Sequence, residues 1–213
     1  MTSKNKWSYL KSGRTEATKN LPLILSLPLI NSYRELLIDH VEEGMSLLDV
    51  GANDRRLYNY ITEKTHKKII YESYDIDNSL FHDYYNIDEI KKKFDIITMF
   101  EVVEHMEIDE VKKVFCKVRD ILNDGGLFFV STPNVYHPVR FWRDSSHITP
   151  FAYDELVGLL ISANFSDFRV YRIKKNMKFK DLFRYWLYKP LIKLLGIDFA
   201  PGIVVIGKAG LNG

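Results

Sequence analysis

The sequence predicts an open α/β sheet, mostly parallel, with helices on both faces. Short apolar runs recur along the chain, and amphipathic segments of helical period separate them, which is the pattern of βαβ units. A glycine, Gly51, also follows directly on the first buried run, where a strand must turn sharply into a helix.

The elements follow in order. A polar head leads into residues 21–30 (LPLILSLPLI), which are apolar but too short to cross a bilayer and are interrupted by Pro22 and Pro28. A helix is expected near residues 33–41. Residues 1–45 therefore read as a covering segment and helix, and residues 46–213 as the main domain. Its strands are expected at 46–50, 68–75, 94–100, 127–132, 168–173 and 203–206, with Asn123-Asp124-Gly125-Gly126 as the turn before the fourth. Over 108–122, Val111, Val114, Phe115 and Val118 recur at helical spacing, with lysines on the other side. A later helix is expected from Thr149-Pro150, a capping pair, burying Leu156, Leu159 and Leu160. An insertion at about 176–196 is basic and rich in aromatic residues.

Bulk properties narrow the function. The chain has 213 residues, 46% apolar and 14% aromatic, which suits a folded globule and not a disordered chain. A net charge of +2 gives no electrostatic case for a nucleic-acid binder. One cysteine, Cys116, excludes an internal disulfide framework and fits a reducing compartment. The first residues lack the apolar core of a secretion signal, so a cytoplasmic protein is expected. No feature fixes an assembly state.

Two stretches carry chemistry. The first is Asp49-Val50-Gly51-Ala52-Asn53-Asp54, where the backbone can approach a ligand closely. Asp75, followed by Ile76, ends the next strand at close to the ~20 positions expected for a carboxylate gripping ribose hydroxyls. The spacing fits a cofactor containing adenosine; an ordinary strand-ending turn with capping acids is the competing reading. The second stretch is Phe100-Glu101-Val102-Val103-Glu104-His105-Met106, at a strand's carboxyl end, where ligands of such sheets bind. If a helix starts there, Glu101, Glu104 and His105 share one face, and Phe100 is a candidate wall for the cofactor. The bland alternative is a pair of helix-start acids beside a packed histidine.

These segments, with Asn123 to Gly126, Ser131-Thr132-Pro133-Asn134 and Asp144-Ser145-Ser146-His147 in the same order, resemble the class I S-adenosylmethionine-dependent methyltransferases. The branch they resemble holds the ubiquinone-biosynthesis O-methyltransferases and the small-RNA 3′-end methyltransferases. The match spans roughly residues 47–168. It departs from the family's glycine loop, since Asn53 and Arg55 occupy the later glycine positions. The resemblance implies a Rossmann-like seven-stranded sheet whose last strand is antiparallel. It also implies S-adenosyl-L-methionine as cofactor, with Asp49, Gly51, Ala52, Asn53, Asp75, Ile76 and Phe100 around it. Glu101, Glu104, His105 and His147 become the catalytic set and the candidate ligands for Mg²⁺, Mn²⁺ or Zn²⁺. A version without metal makes a histidine the general base. The leading expectation is O-methylation of a small-molecule or glycan hydroxyl; RNA 3′-terminal methylation and a non-catalytic protein of the same fold are the alternatives. The basic aromatic stretch reads first as a packed cover over the crevice, then as a peripheral membrane contact, then as a nucleic-acid contact.

Overall fold

The structure is a computed structural model and describes residues 3–174 and 179–210. Four parallel strands form one half of the sheet, from the middle out to one edge: β5 (Leu122–Pro133), β4 (Phe94–Phe100), β2 (Ser46–Val50) and β3 (Ile70–Tyr74). β7 (Gly202–Ala209) runs antiparallel between β5 and β6 (Phe165–Ile173), and β1 (Leu29–Ile30) adds a short parallel edge beyond β6. The order is β1-β6-β7-β5-β4-β2-β3. The expected seven strands with an antiparallel last one are therefore present, although the seventh comes from the amino-terminal segment.

The strands alternate which side they feed, because successive side chains point to opposite faces. Leu48, Ile97, Phe128 and Val205 face one apolar cluster, with Val111 and Phe115 of α4 (Ile108–Asp120) and Leu156 and Leu160 of α5 (Tyr153–Ser162). Leu47, Ile96, Phe129 and Val204 face the other, with Leu36 and Leu37 of α2 (Tyr33–Ile38) and Leu57 and Ile61 of α3 (Arg56–Thr65). Helices thus cover both faces, as predicted.

The amino-terminal 45 residues are built into both clusters. Ala17, from α1 (Ser3–Asn20), belongs to the first, and Val41 to the second. α1 crosses α5 at a pair of glycines: a Cβ on Gly158 would stand 2.6 Å from the Gly13 carbonyl carbon. Beside that crossing Arg14 Nε holds the buried Asp154 carboxylate at 2.7 Å. Further along, Arg172 donates to the Leu27 and Leu25 carbonyls and to Asp198 at 3.1 Å. Asn134 donates to the same Asp198, so the Ser-Thr-Pro-Asn motif ends in a buried polar network that fixes the amino-terminal segment to the sheet.

Three expectations need correction. β5 starts at Leu122 and carries the Asn123–Gly126 stretch within it, with Gly125 at φ +76 and an irregular register opposite Phe94 and Ile96. α5 begins at Tyr153, where Glu155 Oε2 accepts from the Ala152 N–H at 3.3 Å; the Thr149 hydroxyl donates instead to the Met106 carbonyl at 2.7 Å. The basic stretch does form a helix, α6 (Phe179–Leu194), with Pro190 inside it. It is not the packed aromatic cover expected of it, because Phe183, Trp186 and Tyr188 are exposed. Residues 175–178 of that expectation lie outside the described residues.

Candidate active site

The carboxyl ends of β2, β3 and β4 open onto a cleft of about 450 Å³. Gly51 forms its floor at φ +73, and a Cβ there would lie 2.4 Å from Val102 Cγ2. Both the backbone conformation and the space therefore require glycine. Gly51 and Ala52 donate their N–H groups to the Tyr74 carbonyl, which stitches the turn to the end of β3. Asn53 adopts φ 45, a left-handed conformation that asparagine tolerates better than most residues. Its N–H donates to Asp75 Oδ2 at 2.8 Å, while Asp75 Oδ1 accepts from the Asp77 N–H. Arg55 does not block the cleft; its guanidinium lies over the Tyr71 and Phe81 rings and reaches Asp83 at 3.4 Å.

Of the predicted cofactor residues, Gly51, Asn53, Asp75 and Ile76 line the cleft and Asp49, Ala52 and Phe100 do not. Strand parity explains the difference for two of them. Asp49 and Phe100 point to the α3 side, where Asp49 accepts from Tyr71 and Thr98 at 2.8 Å each and Phe100 packs on Tyr33 at 4.3 Å. Their neighbours Val50 and Met99 face the cleft instead. Burial raises the Asp49 carboxyl to about 6, against the two hydroxyls that lower it. Ala52 is buried within the turn. Sequence reasoning missed Met99, Leu80, His82, Met106 and Val114, which also line the cleft. Alternation along β4 was the signal available for Met99. A second hollow, about 330 Å³, sits at the opposite ends of the strands around Asp95 and Asn123, away from the ligand-binding ends of such a sheet.

The acid-imidazole segment is not the helix expected. Glu101 takes φ 56 and turns the chain over, and Val103–His105 then make a single 3₁₀ turn. Glu101 is fixed on β5: its N–H meets the Ser131 carbonyl, and its Oε1 accepts from the Ser131 hydroxyl at 2.9 Å. Arg140 stands 3.6 Å from its other oxygen. The turn aims Glu104 inward. Its backbone carbonyl accepts from the Ile148 and Thr149 N–H groups, and those bonds carry the loop bearing His147 over to it.

One ligand atom each from Glu104, His105 and His147 falls within 4.8 Å of the others. Glu101, the fourth predicted member, is outside that group, held by Ser131 and Arg140. Glu104 is 1% exposed, and among the described residues neither of its oxygens has a hydrogen-bond partner. Burial and the nearby Glu101 charge raise its carboxyl to about 8. The two imidazoles are held alike, with Nδ1 of His105 3.1 Å from the Ser146 carbonyl and Nδ1 of His147 2.7 Å from the Phe141 carbonyl. A carbonyl only accepts, so Nδ1 carries a proton in both rings, and the neutral form of each ring places its lone pair on Nε2. His105 also lines the cleft, so the cluster and the cofactor space share a wall.

An open α/β sheet with an antiparallel final strand, a glycine turn and a carboxylate ending the next strand is the architecture of an enzyme that binds an adenosine-bearing cofactor. The chain belongs to the methyltransferase-domain family, whose model matches residues 28–170, and S-adenosylmethionine is its cofactor. Solved structures share the fold. A SAM-dependent methyltransferase from Archaeoglobus fulgidus superposes with a TM-score of 0.61 at 16% identity, covering 83% of this chain and 95% of that one. A SAM-dependent methyltransferase from Methanosarcina mazei does so at 0.58 and 14% identity, covering 86% and 100%. A phosphoethanolamine N-methyltransferase of Haemonchus contortus in complex with S-adenosyl-L-methionine gives 0.58 at 10% identity, covering 84% of this chain and 52% of that one. No curated protein matches the chain. Among the described residues no helix is long and apolar enough to cross a membrane.

Proposed function

We propose that the enzyme transfers the methyl group of S-adenosylmethionine to a hydroxyl oxygen of a small-molecule or glycan acceptor, and that Glu104, His105 and His147 hold a divalent cation that receives that oxygen. The observation that supports this most is the Glu104 carboxylate, buried and unpartnered beside two Nε2 lone pairs. A buried carboxylate without a hydrogen bond is costly unless a cation or a proton meets it. The donor set, two imidazoles and one carboxylate without thiolate, suits Mn²⁺ or Zn²⁺ and, less well, Mg²⁺. When bound there, such an ion lowers the pKa of a coordinated hydroxyl.

The protein's own residues do the rest. The Ser146 and Phe141 carbonyls hold both rings in one tautomer and orientation, as partners of metal-binding histidines commonly do. Gly51 and Asn53 leave room for the nucleoside, and Asp75 presents its remaining lone pairs to ribose hydroxyls. The sulfonium is already activated, so the transfer rests on in-line positioning. A C–O bond forms as the S–C bond breaks, the hydroxyl loses its proton, and S-adenosylhomocysteine departs.

The test is transfer of labelled methyl from the cofactor to a panel of hydroxyl acceptors, with and without EDTA. Expected is an O-methyl product that disappears on chelation and returns with added Mn²⁺ or Zn²⁺. Activity that survives chelation would remove the cation and leave an Nε2 as general base. A product methylated on nitrogen or carbon would sink the reading.

A further inference from the structure

α6 leaves an apolar stripe in water at the cleft end of the sheet. Phe183 is 60% exposed, Trp186 69%, Leu191 50% and Leu194 82%, with Leu187 and Tyr188 also exposed, while Ile192 is buried. At about 100° per residue, the exposed apolar side chains fall within one arc of roughly 200°. Lys189 and Lys193, both exposed, project beside Trp186 at its edge. Gly196 (φ +65) turns the chain just past the helix's end at Leu194. Just beyond, Asp198 is locked to Arg172 and Asn134, so the foot of α6 is anchored where β5 ends and β7 begins. Residues 174–196 carry seven Lys or Arg and one acid, Asp181.

We propose that α6 lies on an anionic lipid surface, with its aromatic and leucine stripe at the acyl boundary and its basic side chains at the headgroups. An amphipathic helix with large apolar residues on one arc and cations beside it is built for that interface. Charge decides the occupant: a second copy would bring the same positive helix against itself, whereas anionic headgroups complement it. The experiment is sedimentation of the full chain with vesicles of phosphatidylglycerol and phosphatidylcholine, against phosphatidylcholine alone. Binding is expected on the anionic vesicles only, and it should fall several-fold at high salt. A W186S/L191S variant should lose at least ten-fold of that binding with an unchanged melting temperature. No sedimentation with anionic vesicles, or sedimentation that the variant retains, overturns the proposal. A dimer by light scattering that the variant dissolves, without vesicle binding, would assign the stripe to a second copy instead.

A separate observation concerns the cofactor cleft. His82 is 2% exposed, and among the described residues neither ring nitrogen has a hydrogen-bond partner, yet the residue lines the cleft. Its loop is not loose: the Asp83 and Tyr84 N–H groups donate to the Ser73 carbonyl, and the His82 N–H meets the Tyr85 hydroxyl at 3.0 Å. We infer that His82 reads the cofactor's purine base through a ring nitrogen. His82→Phe keeps a planar ring and removes both polar atoms. Calorimetry should show S-adenosylhomocysteine binding weakened about ten-fold or more, with the ligand-free melting temperature unchanged. The loss should shrink for an analogue whose base lacks the exocyclic amine or a ring nitrogen. Equal affinity in the variant, or one uniform loss across all base analogues, overturns the assignment; a wild-type chain that binds no S-adenosylhomocysteine overturns it together with the cofactor.

Discussion

His105 and His147 face one another with ring centroids 5.0 Å apart, each held through Nδ1 by a backbone carbonyl. They come from separate loops, joined by the bonds that the Ile148 and Thr149 N–H groups make to the Glu104 carbonyl. A pair so arranged should bind an ion before it binds any substrate. Mn²⁺ or Zn²⁺ is expected to raise the melting temperature of the ligand-free protein. His105→Ala or His147→Ala should weaken the ion by about 10–100-fold or more. Differential scanning fluorimetry with and without EDTA checks this; equal shifts in both variants would dismiss the pair as ligands.

Glu104 adds a pH dependence to that binding. Its carboxyl is raised to about 8 by burial and by Glu101, so it carries a proton at pH 7 that an incoming cation must displace. Ion affinity should therefore rise from pH 6 to about 8 and level off above. Calorimetry in buffers of different ionisation enthalpy should report about one proton released per ion at pH 7. Glu104→Gln should reduce that release.

Gly51 should not tolerate a methyl group. Alanine there meets Val102 Cγ2 at 2.4 Å and must also hold φ +73. Gly51→Ala should cost about 1–3 kcal/mol of stability and weaken S-adenosylhomocysteine. Adding Val102→Ala relieves the clash and leaves the backbone strain, so the double variant should recover part of the stability and not all of it. Urea titrations of the four proteins in the cycle measure the two contributions.

Asp49 should make the fold less stable as pH rises. Its carboxyl lies at about 6 in the folded protein against 3.8 as its ordinary value. Between those values the native state binds more protons than the unfolded chain, so stability falls with rising pH. The penalty at pH 7 is of order 3 kcal/mol and vanishes below about pH 4. Asp49→Asn should then melt several degrees above the wild type at pH 7.5, with the gap closing toward pH 4. A gap independent of pH would mean that Asp49 is not the group responsible.

The α1–α5 crossing gives a test of sign. Alanine is favoured over glycine inside a helix by about 1 kcal/mol, so propensity alone predicts that Gly158→Ala stabilises. Contact with the Gly13 backbone at 2.6–2.9 Å opposes it with roughly 1–3 kcal/mol of overpacking. Net destabilisation is expected by thermal melting; a stabilised variant would show that α1 yields at this crossing.

Local chemistry wrote most of the fold into the sequence. Apolar runs with period-2 and helical periodicity located β2 to β7 and α4, and glycine at position 51 marked the turn that the sheet turned out to need. The helix expected after Phe100 failed because Glu101 adopts a left-handed backbone that carries no residue-type signature. The strand β1 was not visible, since two residues of an apolar stretch look alike whether they pair with β6 or only pack on it.

By itself the sequence determined the succession of β2 to β7 with α4 among them, the glycine turn, and the residue types gathered for proton and cofactor chemistry, since each depends on neighbours along the chain. Tertiary structure decided which of them meet. Strand parity sent Asp49 and Phe100 to the face opposite the cleft, and Ser131 with Arg140 drew Glu101 away from the trio that Glu104, His105 and His147 form. The exposure of α6 and the unpaired nitrogens of His82 arose the same way, because burial and partnership depend on what the rest of the chain packs against, and no local pattern encodes that.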